Sequence, residues 1–243
     1  YRTGFDRNLW IWEEADKNCK YMISADVARG DGKDYSVCHV FKLDTMEIVA
    51  EYQGKCTPDV FSRVLYDVGQ EYGFGLLVVE NNSVGFAVLD KLKEKKYPNL
   101  YHSIKSTHEF VEEYQADLMS NAVVGFSTTS KTRPLIIAKL EEFIRNNLIK
   151  VYSSRILSEM RTFVWNNGKA QAMRSYNDDL IMACAVGCWV KETALTHNER
   201  EANYAKAFIG SITKTSNELD TRIKGMVAVS YTHLTLPTNG CVG

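Results

Sequence analysis

The chain reads as an α/β domain with a mixed central sheet, an antiparallel three-strand meander plus parallel strands, flanked by helices. Three observations predict it. First, "YMISADV", "YSVCHVFKL" and "EIVAEYQGK" follow one another across short links, "ARGDGKD" and "DTM", which carry hairpin chemistry. Second, "GLLVVENN" is a continuous apolar run rich in Val and Leu, as expected of a strand covered on both faces. Third, the segments around and after it carry apolar residues at helical spacing. With 243 residues there is room for one domain with a full core, or for a domain of roughly 200 residues plus tails.

In chain order, residues 1–20 are polar and aromatic, with "LWIWEE" as a docking segment ahead of the meander. After it, Thr57 can cap and Pro58 suits the first turn of a helix through "VFSRVLYDVGQEYG". The buried strand "GLLVVENN" precedes an amphipathic helix, "VGFAVLDKLKEKKY", whose lysines favour its C-terminal end. This gives the order βββαβα. From "NLYHSI" to about residue 130 the pattern weakens, and "KSTHEFVEEYQADLMSNAVVGFSTTSK" reads as an insertion. Then come a helix in "TRPLIIAKLEEFIRNNL", a short strand "IKVY", a helix "SRILSEMRTFVW" and a turn in "NNGKAQAM" flanked by strand-like residues. The last element, "DDLIMACAVGCWVKETAL", is a strongly apolar helix opened by two aspartates.

Composition narrows the class. Apolar residues make up 45% and charged residues 24%, which excludes a wholly disordered chain. A net charge of −1 offers no global attraction for nucleic acid, although basic residues along one groove can still supply it locally. The six cysteines include no C-x-x-C pair and read as reduced thiols packed in the core. No apolar run approaches the roughly 18 residues of a membrane span, and no signal-peptide pattern opens the chain.

Acidic residues carry the chemistry. Asp26 lies inside a strand that reads as buried, Glu80 closes "LLVVE", and Asp178 and Asp179 open the last helix. A buried unpaired charge is costly, so each needs a partner, a hydrogen bond or a cation. Singly, each has an ordinary explanation: Asp26 as a turn-side acceptor, Glu80 as a strand end, Asp178 as an N-cap and Asp179 as favourable first-turn charge. Asp31 and Asp34 read as turn residues. Together, a meander, a parallel strand beside its first strand and a late helix aimed back at both would bring three carboxylates into one place, the ribonuclease H-like arrangement. Clustered carboxylates repel and raise one another's pKa unless cations occupy the cluster. All-oxygen donors suit Mg²⁺ or Mn²⁺, and no Cys/His set has zinc spacing.

"SADVARGDGKDYSV", "LLVVENNSVG", "GFSTTSKTRPLIIAKL" and "LSEMRTFVWNNGKAQAMRSYNDDLIMACAVG" occur in order over residues 10–192. This set resembles the nuclease domain of the terminase large subunit of tailed bacteriophages. The resemblance implies a ribonuclease H-like fold and an endonuclease cutting concatemeric double-stranded DNA by two-metal-ion hydrolysis with Mg²⁺ or Mn²⁺. It implies Asp26, Glu80 and Asp179 as catalytic metal ligands, with Asp178 as the alternative to Asp179. That family often has His before the final aspartates; here the position is Asn177. The ATPase domain, the portal and the small terminase subunit are implied partners, no membrane is involved, and the implied location is the host-cell cytoplasm.

The resemblance divides the chain into a linker from an ATPase domain (1–20), the nuclease domain (21–195), a polar tail (196–228) and a segment, 229–243, foreign to the fold. "VSYTHLTLPT" within that last segment matches the in-frame translation of a common sequencing-library adapter. There is no G-x-x-x-x-G-K-[ST] phosphate loop, so no ATP hydrolysis is expected of this sequence. Arg29, Lys33, Lys131, Arg133 and Arg174 are candidate phosphate contacts on DNA. Two other functions remain compatible with the sequence. One is a phosphotransferase of the actin and sugar-kinase type, which should show two glycine-rich phosphate loops where one is visible. The other is a catalytically silent DNA-binding or portal-docking module.

Overall fold

The computed structural model describes residues 1–195 except 83, 106–109, 112 and 167. The tail from residue 196, with the adapter-like segment, lies outside the described residues. The central sheet holds six strands: β1 (Arg2–Gly4), β2 (Leu9–Ile11), β3 (Tyr21–Asp26), β4 (Ser36–Lys42), β5 (Glu47–Gly54) and β6 (Leu76–Val79). Their spatial order is β1-β2-β5-β4-β3-β6. As expected, β3, β4 and β5 form an antiparallel meander, and β6 runs parallel to β3. Helix α1 (Pro58–Glu71) makes the crossover to β6, and α2 (Gly85–Glu94) follows it.

Side chains alternate across a strand, so β3 and β6 feed two cores. Ile23, Ala25, Leu77 and Val79 pack with α1 and α2, whereas Met22, Leu76 and Val78 face the helices contributed later in the chain. Those are α4 (Thr132–Arg145), α5 (Ser154–Thr162) and α6 (Asp179–Val190). Ten of the twelve α6 residues are buried, which is why that helix reads as apolar all round rather than amphipathic. It lies against β3 and β4 through Gly187, where an added Cβ would stand 2.5 Å from the Phe41 ring.

Between α2 and α4 the weakly patterned segment forms a small three-stranded sheet with a short helix α3 (Glu113–Ala116), its middle strand being the first in chain order. Its strands are β7 (His102–Ile104), β8 (Phe110–Val111) and β9 (Ala122–Val124). Elements of two to four residues lie below the length at which periodicity can be read from sequence.

Three expectations need correction. Residues 1–20, expected to link and dock, contribute two strands to the sheet: Leu9 and Ile11 are buried, and β2 pairs with β5. "IKVY" is not a strand but a single bridge from Lys150 to Glu47, because β2 already occupies the β5 edge from Ala50 to Tyr52. The helix expected through Trp165 ends at Thr162; Phe163–Asn166 (β10) pairs instead with Lys169–Ala172 (β11) in an antiparallel hairpin. Aromatic and β-branched Phe163, Val164 and Trp165 suit a strand better than a helix terminus. A π-helical turn, Lys191–Leu195, follows α6. Among the described residues no helix is long and apolar enough to cross a membrane.

Candidate active site

Strand parity brings the acidic residues together. Asp26 continues the Met22–Ser24 face of β3, and Glu80 continues the Leu76–Val78 face of β6. The β3 and β6 registers end on the Ala25–Val79 pair, and the Glu80 amide donates to the Ala25 carbonyl at 3.0 Å. The two carboxyls therefore leave neighbouring parallel strands on the same side, toward the start of α6. Asp26, Glu80, Asp178 and Asp179 line one cavity of about 230 Å³ together with Asp34, Asn82 and Arg133.

Glu80 is held from three directions. Its neighbour Asn81 donates from its amide nitrogen to the Phe126 carbonyl at 2.8 Å, and Asn81 Nδ2 donates to the Val124 carbonyl at 2.9 Å. Asn82 Oδ1 accepts from the Gly85 amide, which opens α2 directly behind the site. A Cβ on Gly85 would fall 1.8 Å from the Glu80 carbonyl oxygen, so only glycine permits that approach.

Electrostatics follow from the crowding. Burial pushes the Asp26 carboxyl well above its ordinary range, and the Glu80 charge, a hydrogen bond shared with Glu80 and the Asp179 charge push the same way. Asp179 is also raised, chiefly by burial, while hydrogen bonds to its Oδ2 from the Tyr35 amide (2.8 Å) and Asn177 Nδ2 (3.1 Å) hold it down. Asp178 differs: its Oδ2 meets the Arg133 guanidinium at 2.5 Å. It also forms no side-chain capping bond, contrary to the N-cap expectation.

The all-oxygen donor set fits a hard divalent cation, and its mutual repulsion is what such a cation would relieve. The fit lies in donor chemistry, for among the described residues no three His, Cys, Asp or Glu side chains form a ready-made metal-holding group. A larger cavity of about 510 Å³ lies at the other ends of β3 and β6, beside Tyr21 and Leu76, away from the carboxylate cluster.

The basic candidates separate. Arg133 reaches the site, engaged with Asp178, and exposed Arg29 lines an adjoining cavity of about 270 Å³ that shares Val27, Ala28, Asp34 and Asn82 with the first. Lys33 touches the site only through its carbonyl, which accepts from Asn177. The side chains of Lys131 and Arg174 are exposed and line neither cavity.

Sequence reasoning missed three contributors: Asp34, which lines the cavity; Tyr35, whose backbone amide holds Asp179; and Glu159, which accepts from the Leu180 amide at the start of α6. Aspartates packed in a hairpin read as turn residues, and backbone donors or residues reaching in from distant helices leave no local signal.

No protein-family model matches the chain. Solved structures do. The large terminase nuclease from thermophilic phage G20c, crystallised with bound magnesium, superposes with a TM-score of 0.59 at 20% identity over 77% of this chain and 88% of that one. The chain has its fold. The same nuclease with bound zinc gives 0.53 at 21% identity over 76% and 87%. The large terminase nuclease domain of Thermus phage P74-26 gives 0.54 at 20% identity over 73% and 83%. The fold is thus the ribonuclease H-like one that those terminase nuclease domains share.

Proposed function

We propose that the chain is a divalent-metal-dependent endonuclease domain of a phage DNA-packaging terminase large subunit, acting on double-stranded DNA. The observation that carries this reading is the convergence of Asp26, Glu80 and Asp179 from two parallel strands and a helix N-terminus onto one cavity. The bound metals of the G20c structures support it by fold analogy.

Asp26, Glu80 and Asp179 would hold two Mg²⁺ or Mn²⁺ ions, with Asp178 as the alternative to Asp179. Bound there, the metal would supply an activated water and stabilise the leaving oxygen of an in-line phosphodiester displacement. The protein's own groups prepare the site for this. The pinned Glu80 backbone and its pairing with the end of β3 set two carboxylates on one side of the sheet. The Tyr35 amide and Asn177 orient Asp179 and keep part of its charge in place as burial opposes it. Arg133 and Arg29 offer positive charge beside an acidic cavity, where a phosphodiester backbone needs positioning without sequence reading. The setting would be phage genome packaging in the host cytoplasm, alongside an ATPase domain, the portal and the small subunit.

Purified protein incubated with supercoiled plasmid and Mn²⁺ should nick and linearise it, and Asp26→Asn should lose at least a hundredfold of that rate. Equal cutting by both proteins would refute the metal mechanism. DNA binding without cutting by the unmutated protein would favour the silent-module reading.

A further inference from the structure

Resting on that metal reading, we infer that Glu159 of α5 is a positioning residue: it caps α6 from outside and so frees Asp178 and Asp179 to face the cavity. A helix starts with amides that have no intrahelical partner, and the N-cap side chain usually accepts from those of the second and third helical residues. In α6 those residues are Leu180 and Ile181. Both are buried, so their amides cannot turn to water. Asp178 stands at the N-cap but makes no capping bond. Glu159 Oε2 takes both amides instead, at 2.9 Å and 3.2 Å.

The clamp is anchored at its other end. Glu159 is itself buried, and its Oε1 accepts from Gln53 Nε2 of β5 at 3.3 Å, so one carboxyl ties α5, β5 and α6 together. The same turn is held from the sheet by His39 Nε2 of β4, which donates to the Leu180 carbonyl at 2.9 Å. With its first turn capped from α5, the helix leaves both aspartates at the cavity. Asp178 engages Arg133, and Asp179 takes the Tyr35 amide and Asn177. Had Asp178 capped the helix in the ordinary way, its carboxylate would have turned back over Ile181. Glu159 touches neither substrate nor metal on this account; it acts through the placement of the α6 N-terminus.

The test is Mn²⁺ titration calorimetry on the full chain, wild type against Glu159→Ala and Glu159→Gln, with melting temperatures measured in EDTA. Glu159→Ala should weaken Mn²⁺ binding at least tenfold, the scale seen when groups that orient metal ligands are removed. Glu159→Gln, whose carbonyl oxygen can accept both amides, should stay within about threefold of wild type. Should the alanine variant not fold, Glu159→Asp decides, since its carboxylate falls one methylene short of the amides and should also weaken binding. Wild-type Mn²⁺ affinity in the folded alanine variant, or in the aspartate variant where the alanine one does not fold, overturns the inference, even if melting falls, because that pattern belongs to a purely structural cap. If the wild-type chain binds no Mn²⁺, the metal reading itself fails and takes this inference with it.

Discussion

Asp26 shows how one residue can oppose folding and be kept. Its raised pKa means that the folded state holds the proton more tightly than the unfolded chain, so this residue's contribution to stability is lost as pH rises above the ordinary carboxylate range. Asp26→Asn should therefore leave the metal-free protein at pH 7 as stable as wild type or more so, by about 1 kcal/mol in urea unfolding. A clear loss of stability would point to a structural role. The two adjacent aspartates should also separate: Asp179→Asn should abolish Mn²⁺-dependent cutting, because Asp179 contributes to the field at Asp26. Asp178→Asn should cost about tenfold or less, since Asp178 spends its charge on Arg133. The reverse order of effects would reassign the third ligand. From sequence, Asp26, Glu80 and the final pair could be picked out because an acid inside an apolar strand or at the end of an apolar element is conspicuous. The choice between Asp178 and Asp179 rests on a partner 45 residues away, Arg133, which no local pattern announces.

At the scale of elements, α6 sets the geometry. Its contact with β4 runs through Gly187 and Phe41, and Phe41 is fully buried, so the ring has nowhere to move. Gly187→Ala should destabilise the fold by about 1–3 kcal/mol through overpacking and, by lifting α6 from the sheet, weaken Mn²⁺ binding as well. Normal metal affinity with reduced stability would show that the aspartates are placed independently of how the helix seats. Long elements were readable in advance: the meander, α1, α2, α4 and α6 all carry unbroken periodic or apolar runs. Those misread were short or decided by neighbours. Residues 2–11 become strands because β5 offers an open edge and Arg155 stacks 3.6 Å from the Trp10 ring centroid. "IKVY" stays irregular because that edge is already filled.

For the molecule as a whole, three buried titratable groups among the described residues, lying outside the carboxylate cluster, add to the dependence of stability on pH. Burial raises Glu51 from 4.5 to about 7 and Glu159 from 4.5 to about 8, and lowers His39 from 6.5 to about 4. For the two acids the folded state keeps a proton that the unfolded chain has released, so stability falls as pH rises from 4.5 to about 7 and 8 respectively. For His39 the unfolded chain holds the extra proton, so stability rises between about 4 and 6.5. Among these three, two falling contributions outweigh one rising one from pH 4.5 to 6.5, and above 6.5 His39 no longer offsets the decline. Each pKa unit corresponds to about 1.4 kcal/mol, so Glu51→Gln should remove a loss of about 3 kcal/mol between pH 4.5 and 7. Melting temperatures in EDTA across pH 5–8 check this, and a wild-type profile that rises through that range would contradict it. Saturating Mn²⁺ should raise the melting temperature of the wild type and leave Asp26→Asn unmoved, with about 2.7 kcal/mol gained at a hundredfold excess over Kd.

Asp26, Glu80 and Asp179 lie far apart along the chain, and the last of them opens α6, the last α-helix among the described residues. On a ribosome, the first two carboxylates would emerge long before the third. A nascent chain on this plan would therefore carry its strands and most of its helices while still unable to cut the DNA around it. Under the proposed reading, closure of α6 over β3 would be the event that arms it.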